Sequence, residues 1–167
     1  MMDRLYAPWR TQYVTTDKVK KIEGCVFCHA VKTLDDDTNL GVLHREDDFF
    51  IVMNKYPYSP GHFMIIPNFH TANLEALDPD VFAKMSLFAQ KGVKMLKETL
   101  NAQGVNIGMN LGKAGGAGIA EHIHLHLVPR WNGDTNFITT IGDTRVYSSE
   151  IDEIYKKLKN VASDYFR

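Results

Sequence analysis

The sequence predicts an α+β fold, in which a mostly antiparallel sheet carries a long helix and a C-terminal helix on one face. Short apolar runs bounded by turn residues predict the strands. One apolar stripe at helical spacing predicts the long helix, and an amphipathic segment near the end predicts the other. A length of 167 residues suits one hydrophobic core, so residues 1–167 are expected to form a single domain.

The first part of the chain is predicted to contain an arm, a short helix and three strands. Residues 1–23 are polar, with an aromatic and proline cluster, and are expected to form an extended N-terminal arm. A short helix near 26–33 should follow. Strands are predicted at 40–44, 49–54 and 62–66, because apolar residues there are bounded by acidic, proline and glycine turns.

The long helix is predicted to begin after Asp78. Aspartate is a favourable N-cap, and Pro79 suits the first helical position. Apolar residues then recur at helical spacing as far as Leu100, so this stripe is expected to pack in the core. The pair Gln103-Gly104 is expected to end the helix.

The remainder of the chain returns to the sheet and ends in a helix. A strand is predicted at 105–111, and a glycine-rich loop at 112–118 leads into a strand that carries three histidines. Residues 130–147 are expected to be mixed turn and strand. Ser149 is predicted to cap the amphipathic C-terminal helix within 148–167.

The histidine strand is the most informative part of the sequence. Residues 122–128 read His-Ile-His-Leu-His-Leu-Val, so His122, His124 and His126 share one face of a strand while the aliphatic residues share the other. Three imidazoles on one face do nothing for folding. They suit metal binding, phosphate binding or nucleophilic chemistry, because imidazole is a ligand, base, acid and nucleophile near neutral pH. The alternative is a half-exposed strand with accidental histidines.

The glycine-rich loop lies directly before this strand. Glycines such as Gly116 and Gly118 allow backbone N–H groups to approach a phosphate closely. Neither a Walker motif nor a dinucleotide-binding fingerprint is present, since a strand rather than a helix follows. The loop is therefore a candidate anion site or a plain flexible turn.

The two cysteines form one Cys-x-x-Cys pair, Cys25 and Cys28. In a reducing compartment this spacing indicates a metal site or a redox pair rather than a structural disulfide. One pair supplies only half of a tetrahedral site.

Charge and hydropathy exclude several classes of partner. The formal net charge is -1, which does not indicate a nucleic-acid polymer or an anionic membrane as a partner. The N-terminus has no apolar signal core, and no apolar run is long enough to span a bilayer. A cytoplasmic location is therefore the expectation.

Two motifs together resemble the histidine triad (HIT) superfamily. Its signature is three histidines alternating with apolar residues after a glycine-rich loop, as at 122–128. Its second motif, an acidic or amide residue followed by prolines and Pro-Gly-His, resembles 54–62. The segments 7–10 and 129–136 resemble the bacterial branch that includes diadenosine tetraphosphate phosphorylases. The resemblance implies a HIT-like fold, a commonly dimeric assembly and nucleotidyl transfer.

In such proteins the middle histidine attacks the α-phosphorus, which makes His124 the implied nucleophile and a nucleotidyl-histidine the intermediate. His126 would bind a phosphate oxygen or protonate the leaving group. Relatives often carry Gln or Ser where this chain has Gly118, so a backbone N–H would do that work here. The role of His62 is expected to be structural or orienting.

The resemblance also implies a set of substrate-binding residues. The implied contacts are Asn54 for the ribose hydroxyls, Asn110 for the phosphate, Phe27 and Met64 for the base, the loop residues Gly116 and Gly118, and Arg130 for an incoming phosphate. Without the resemblance, Asn54 and Asn110 are ordinary turn or strand-end residues. Arg130 is equally a solvated residue at a strand end.

Metal-bearing members complete a zinc site with a histidine after the second motif and with the first histidine of the triad. The implied ligands are Cys25, Cys28, His70 and His122. A closed four-ligand site is structural, because a catalytic zinc keeps an open position.

The sequence therefore predicts a HIT-family nucleotidyl hydrolase or transferase that cleaves an adenine nucleotide, with a dinucleoside polyphosphate as the preferred substrate and a homodimer as the expected assembly. The alternatives are a nucleoside phosphoramidate hydrolase and a nucleotide-binding module with little turnover. A third reading places all three triad histidines on one catalytic zinc and leaves the cysteines unexplained.

Overall fold

The computed structural model describes residues 23–142, 147 and 149–167. The predicted arm at 1–23 therefore lies outside the described residues except for its last position. The same holds for part of the segment predicted as mixed turn and strand.

A five-stranded sheet forms the centre of the fold, with the strand order β1-β2-β3-β5-β4. Every neighbouring pair is antiparallel, as predicted. The strands are β1 (Val42–Arg45), β2 (Phe49–Met53), β3 (Phe63–Pro67), β4 (Gly104–Gly108) and β5 (Leu125–Arg130). The last strand in sequence is thus inserted between β3 and β4, which brings the histidine segment beside β3.

Five helices accompany the sheet in the described part of the chain. They are α1 (Val26–Lys32), α2 (Asp37–Leu40), α3 (Pro79–Leu100), α4 (Phe137–Ile141) and α5 (Ile151–Tyr165), with a short 3-10 turn at Leu74–Ala76. Among the described residues, no helix combines the length and apolar character needed to cross a membrane.

The long helix α3 begins as the sequence predicts. The Asp78 side chain accepts a hydrogen bond from the backbone N–H of Asp80, and proline follows the cap. The helix ends before the predicted Gln103-Gly104 pair, because Asn101 adopts a left-handed conformation with φ 53°. Its apolar stripe packs on the sheet so closely at Gly92 that an added Cβ would lie 2.7 Å from the Phe63 ring.

The centre of the sheet is buried on both faces, because every residue of β2 and β3 is buried, whereas the edge strand β4 is partly exposed. On one face, alternate residues such as Ile51, Ile65 and Leu127 pack in a large core with α3 and α5. On the other face, Val52 and Met64 pack in a second, smaller cluster beneath α1. The expectation that helices cover one face holds for α3 and α5, whereas α1 covers the opposite face.

Helix α5 is tied to β1 through backbone carbonyls. The Tyr155 hydroxyl and the Lys159 ammonium both donate to the Val42 carbonyl, at 3.2 Å and 2.8 Å. The predicted cap at Ser149 is wrong, because Glu150 occupies the cap position and makes no side-chain capping bond.

Other boundaries also differ from the sequence prediction. The regular part of the histidine strand begins only at Leu125, and β4 ends at Gly108. Within the segment predicted as turn and strand, the Asn136 side chain accepts from the Ile138 N–H and starts the short helix α4. Local capping therefore overrides the β-branched composition of that segment.

Candidate active site

The triad histidines lie on the face of the sheet that α1 covers. His126 pairs with Met64 across β5 and β3, and both side chains belong to the smaller layer beneath α1. His122, His124 and His126 are 0%, 6% and 8% exposed. The alternation read from the sequence is therefore present, but it distributes the residues between two buried layers rather than between core and solvent.

The ring of His124 is oriented by one backbone hydrogen bond. Its Nδ1 lies 2.9 Å from the His122 carbonyl oxygen, which can only accept, so Nδ1 carries the proton. The Nε2 lone pair is then free to react. Burial lowers the pKa of His124 below its ordinary value, against an opposing effect of that hydrogen bond. His124 is thus a neutral imidazole whose Nε2 lone pair is not protonated at neutral pH.

A fourth histidine, His62, sets the tautomer of His126. The backbone N–H of Tyr58 donates to His62 Nδ1 at 3.1 Å, so the His62 proton resides on Nε2. That nitrogen donates in turn to His126 Nδ1 at 2.9 Å. The proton of a neutral His126 therefore resides on Nε2.

The Nε2 atom of His126 is a buried donor that awaits an acceptor. Within the described residues it has no hydrogen-bond partner. Burial, with a smaller contribution from His124, lowers the pKa of His126 to about 4, and burial with the nearby His126 and His124 lowers the pKa of His62 to about 3. A buried donor without a partner is costly, so an oxygen-rich ligand at this position would satisfy it.

An apolar wall borders the triad on the α1 side. The Phe27 ring lies edge-on to His122 at 5.5 Å and tilted to His124 at 5.3 Å. Phe27 and Met64 share the apolar cluster beneath α1, and Ile119 packs against that cluster from the end of the glycine loop. The two residues predicted to line a base pocket are therefore brought together beside His124, and their contact with a base stays a prediction.

The two asparagines that were predicted to bind substrate, Asn54 and Asn110, lie near the site, but no contact of theirs identifies a substrate group. The Asn54 amide lies 3.4 Å from the His62 ring, and its oxygen accepts from the Tyr56 N–H. Asn110 follows β4 at the edge of the glycine loop and is half-buried. Their substrate contacts stay predictions.

The glycine loop is a series of turns whose N–H groups are partly used within the loop. Gly116 has φ +86° and donates to the Lys113 carbonyl, and Ala117 donates to the Gly112 carbonyl. The Gly116 N–H is therefore engaged in this conformation. Space around Gly118 is open, since an added Cβ would meet nothing within 4 Å. The role of both glycines in phosphate binding stays a prediction.

Arg130 is part of an ion-pair network at the end of β5. Its Nε and Nη2 bind the two carboxylate oxygens of Asp134 at 2.6 Å and 2.7 Å, and its Nη1 donates to Asn106. This pairing holds the pKa of Asp134 well below its usual range. An incoming phosphate would have to compete with Asp134 for the guanidinium, so the predicted phosphate contact also stays a prediction.

The four predicted metal ligands converge on one point. The ligand atoms of Cys25, Cys28, His70 and His122 all lie within 4.8 Å of one another. His122 Nδ1 is 3.4 Å from Cys25 Sγ and 3.2 Å from His70 Nδ1, and Cys28 Sγ is 3.1 Å from His70 Nδ1. A tetrahedral zinc separates sulfur and nitrogen ligand atoms by about 3.3–3.8 Å. The donor chemistry and the spacing both fit zinc.

The surrounding backbone prepares His122 for this role. Its Nε2–H donates to the Pro67 carbonyl at 2.9 Å, which leaves the Nδ1 lone pair for the metal. The neighbouring Ile123 N–H donates to the Thr71 carbonyl, which holds the segment after β3 against the triad. Only His122 of the three triad histidines belongs to the donor set, so the reading with all three on one catalytic zinc is wrong.

Sequence reasoning did not foresee the contacts of Tyr58. Its N–H binds His62, and its ring lies 4.7 Å from the His62 ring and 6.0 Å from the His126 ring. The available signal was its position within the Pro-Gly-His motif, four residues before the histidine.

The chain was compared with models of known protein families and with known proteins and structures. The family model described as HIT domain matches residues 38–133, which include the Pro-Gly-His strand and the triad. The chain belongs to the HIT family.

Several relatives agree with this assignment. A Mycobacterium tuberculosis protein named AP-4-A phosphorylase is 37% identical over 150 residues, which cover 87% of this chain and 76% of that protein. A zinc-bound histidine triad family protein from Mycobacterium smegmatis has a TM-score of 0.69 at 31% identity, covering 84% of this HIT chain and 94% of its own. A hypothetical histidine triad nucleotide-binding protein from Sulfolobus tokodaii has a TM-score of 0.64 at 26% identity, with coverage of 84% and 91%.

Proposed function

We propose that this HIT protein is a nucleotidyl hydrolase or transferase that cleaves the α-phosphate linkage of an adenine nucleotide through a nucleotidyl-histidine intermediate. The observation that carries the proposal is the state of His124. Its Nδ1–H is held by the His122 carbonyl, and burial keeps the ring neutral, so Nε2 presents a lone pair. A neutral, oriented imidazole is what nucleophilic attack on phosphorus requires.

The reaction proceeds in two displacements. In the first, His124 Nε2 forms a bond to the α-phosphorus, and the bond from phosphorus to the bridging oxygen breaks. In the second, water or inorganic phosphate attacks the same phosphorus and the bond to His124 breaks. Each displacement inverts phosphorus, so the overall reaction retains configuration.

His126 supplies a hydrogen bond during both steps. Because His62 donates to its Nδ1, His126 offers a fixed Nε2–H donor to a phosphate oxygen or to the departing oxygen. In the free protein this donor is a neutral imidazole, since the pKa of His126 is about 4. With its Nδ1 engaged by the His62 N–H, neutral His126 stabilises through this hydrogen bond the negative charge that develops on the phosphate or departing oxygen, and the polyphosphate leaves as an anion.

The binding residues are assigned on the same basis. Phe27 and Met64 form an apolar wall beside His124 that suits the base. Asn54 is assigned to the ribose, and Asn110, Gly116 and Gly118 are assigned to the phosphates.

The zinc set supplies structure rather than chemistry. Four protein ligands close the coordination sphere, so bound zinc has no open position for substrate. Cys25 and Cys28 belong to the start of α1, so the metal fixes the helix that carries Phe27 against the triad.

A dinucleoside polyphosphate is the proposed substrate, supported by the name of the Mycobacterium tuberculosis relative. Product analysis with diadenosine tetraphosphate tests it, with and without inorganic phosphate. Hydrolysis gives AMP and ATP, whereas phosphorolysis gives ADP and ATP. Labelled phosphate that enters the ADP would establish phosphorolysis and give Arg130 a candidate role in holding it. Absence of any turnover, with AMP still bound, would contradict the proposal and leave a nucleotide-binding module.

Four further expectations accompany the proposed activity. We expect residues 1–167 to form one HIT domain, with an N-terminal arm over 1–23 and a C-terminal helix within 148–167. We expect a homodimer, which analytical ultracentrifugation tests, and a cytoplasmic location. Neither a nucleic-acid polymer nor a membrane is expected as a partner, in keeping with the net charge of -1.

A further inference from the structure

Tyr58 is an exposed aromatic residue at the rim of the active site. It lies in the loop between β2 and β3, and its ring is inclined by 40° to the His62 ring and by 32° to the His126 ring. In spite of these contacts, 51% of the residue is exposed. One side of the ring therefore rests near the histidines, while much of the remaining surface is open.

Hydrogen bonds hold the backbone of the loop around Tyr58. The Tyr58 N–H donates to His62, and the His62 N–H donates back to the Ser59 carbonyl. The buried Ser59 hydroxyl donates to the Pro129 carbonyl of β5 at 2.7 Å. Prolines flank the loop at positions 57 and 60. A ligand that stacks on such a ring loses little free energy to ordering the protein.

The position of Tyr58 relative to the triad indicates which part of a substrate it meets. Ring centroids follow one another from Phe27 to His124 at 5.3 Å, to His126 at 4.7 Å and to Tyr58 at 6.0 Å. Phe27 belongs to the buried apolar wall beside the nucleophile. The Phe27 ring contacts His122 and His124, whereas the Tyr58 ring contacts His62 and His126, the donor assigned to the leaving group. The two aromatic rings therefore lie toward opposite ends of the row of triad histidines.

We infer that Tyr58 is the stacking platform for the base of the leaving nucleoside, so the site takes substrates that carry a nucleoside at both ends of a polyphosphate chain. This inference rests on the proposed function, because it concerns the leaving half of the same substrate. Stacking on an aromatic ring tolerates any base, since each base has a π-face. Tyr58 therefore selects for the presence of a second nucleoside rather than for its identity.

Two ligands that differ only in the second nucleoside test the inference. Diadenosine tetraphosphate and adenosine 5′-tetraphosphate share the phosphate chain and the first adenosine. Their dissociation constants are measured by calorimetry on full-length protein with His124→Ala, which removes turnover. Tyr58→Ala is compared with Tyr58→Phe in that background. Tyr56→Ala is the matched control, since Tyr56 is a 67% exposed tyrosine of the same loop.

The expected result is that diadenosine tetraphosphate binds about tenfold more tightly than adenosine 5′-tetraphosphate, and that Tyr58→Ala removes this ratio. Tyr58→Phe and Tyr56→Ala should keep it. The backbone N–H that binds His62 survives each of these substitutions. No preference in the parent protein, a ratio unchanged by Tyr58→Ala, or an equal loss for both ligands would overturn the inference. Failure of the proposed function is separate: protein with His124 intact would then turn over neither ligand, even if Tyr58→Ala removed the binding preference.

Discussion

Replacement of His62 by asparagine should separate the orienting role of this histidine from its structural role. An asparagine amide reaches about as far as His62 Nδ1 and can keep the hydrogen bond from the Tyr58 N–H. It is too short to replace Nε2, so His126 Nδ1 loses its donor. Glutamine reaches about as far as Nε2 and can restore that donor. The two variants have the same functional group and differ in which nitrogen they replace.

The expected losses of stability and of kcat/KM in His62→Asn follow from the burial of His62 and His126. His62 is 0% exposed, so a His126 Nδ1 acceptor without a partner costs about 1–3 kcal/mol of stability. His126 is then free to place its proton on Nδ1, which turns a lone pair toward the phosphate. A hydrogen bond to a charged group is worth about 1.5–3 kcal/mol, so His62→Asn should lower kcat/KM roughly 10- to 150-fold.

The assay is steady-state cleavage of diadenosine tetraphosphate, with urea unfolding of the same preparations. His62→Gln should recover most of the loss in kcat/KM, because it restores the donor to His126. Wild-type kcat/KM in His62→Asn would refute the reasoning about the tautomer. Equal losses in both variants, in step with their stabilities, would show that His62 acts only through packing.

The remaining predictions concern the nucleophile, the metal and pH. His124→Ala should lower kcat on the order of 10⁴-fold or more while AMP binding by calorimetry stays near wild type; a near wild-type rate would exclude the covalent route. Cys25→Ser should lower zinc content by metal analysis and the melting temperature together, whereas His29→Ala, an exposed change in the same helix, should alter neither; an unchanged zinc content would contradict the donor set. The pKa of His62 falls from 6.5 to about 3 on folding. Between pH 6.5 and pH 3 the unfolded chain therefore binds a proton that the folded protein does not, so the free energy of unfolding decreases as the pH falls below about 6.5. Urea unfolding from pH 6 to pH 4 should therefore show wild type losing up to about 1.4 kcal/mol per pH unit more than His62→Gln, and parallel curves would contradict the buried neutral state.

The sequence predicts the strand set and the triad face well because both depend on local periodicity. It places the start of the histidine strand too early for a physical reason. The segment before Leu125 alternates in sequence in the same way, but the chain turns at Glu121 and bends at His122, and the Thr71 and Pro67 carbonyls bind this segment instead of a neighbouring strand. Alternation of residue types in the sequence indicates a strand, but a strand also needs backbone hydrogen bonds to a neighbouring strand. The neighbouring strand is distant in sequence, so the local pattern cannot identify where that pairing begins.

Some of the site contacts that escape prediction join distant residues, and others depend on the conformation of a turn. His62 and His126 are 64 positions apart, and nothing within either motif indicates that one sets the tautomer of the other. The sequence allowed two roles for Arg130, a phosphate ligand or a solvated residue. Its bidentate pairing with Asp134 depends on the turn that follows β5. Sequence therefore identifies which groups are present at the site more readily than how their protons and charges are arranged.

The metal set has a consequence for the order in which the protein folds. Cys25 and Cys28 are 97 and 94 positions from His122, and His70 is 52 positions from it. A growing chain cannot assemble these four donors until His122 has been synthesised. Closing loops of this length costs conformational entropy, which tertiary contacts and the metal bonds both offset. Zinc therefore has a complete site only where α1, the segment after β3 and the triad segment meet, and its binding stabilises contacts between parts of the chain that are distant in sequence.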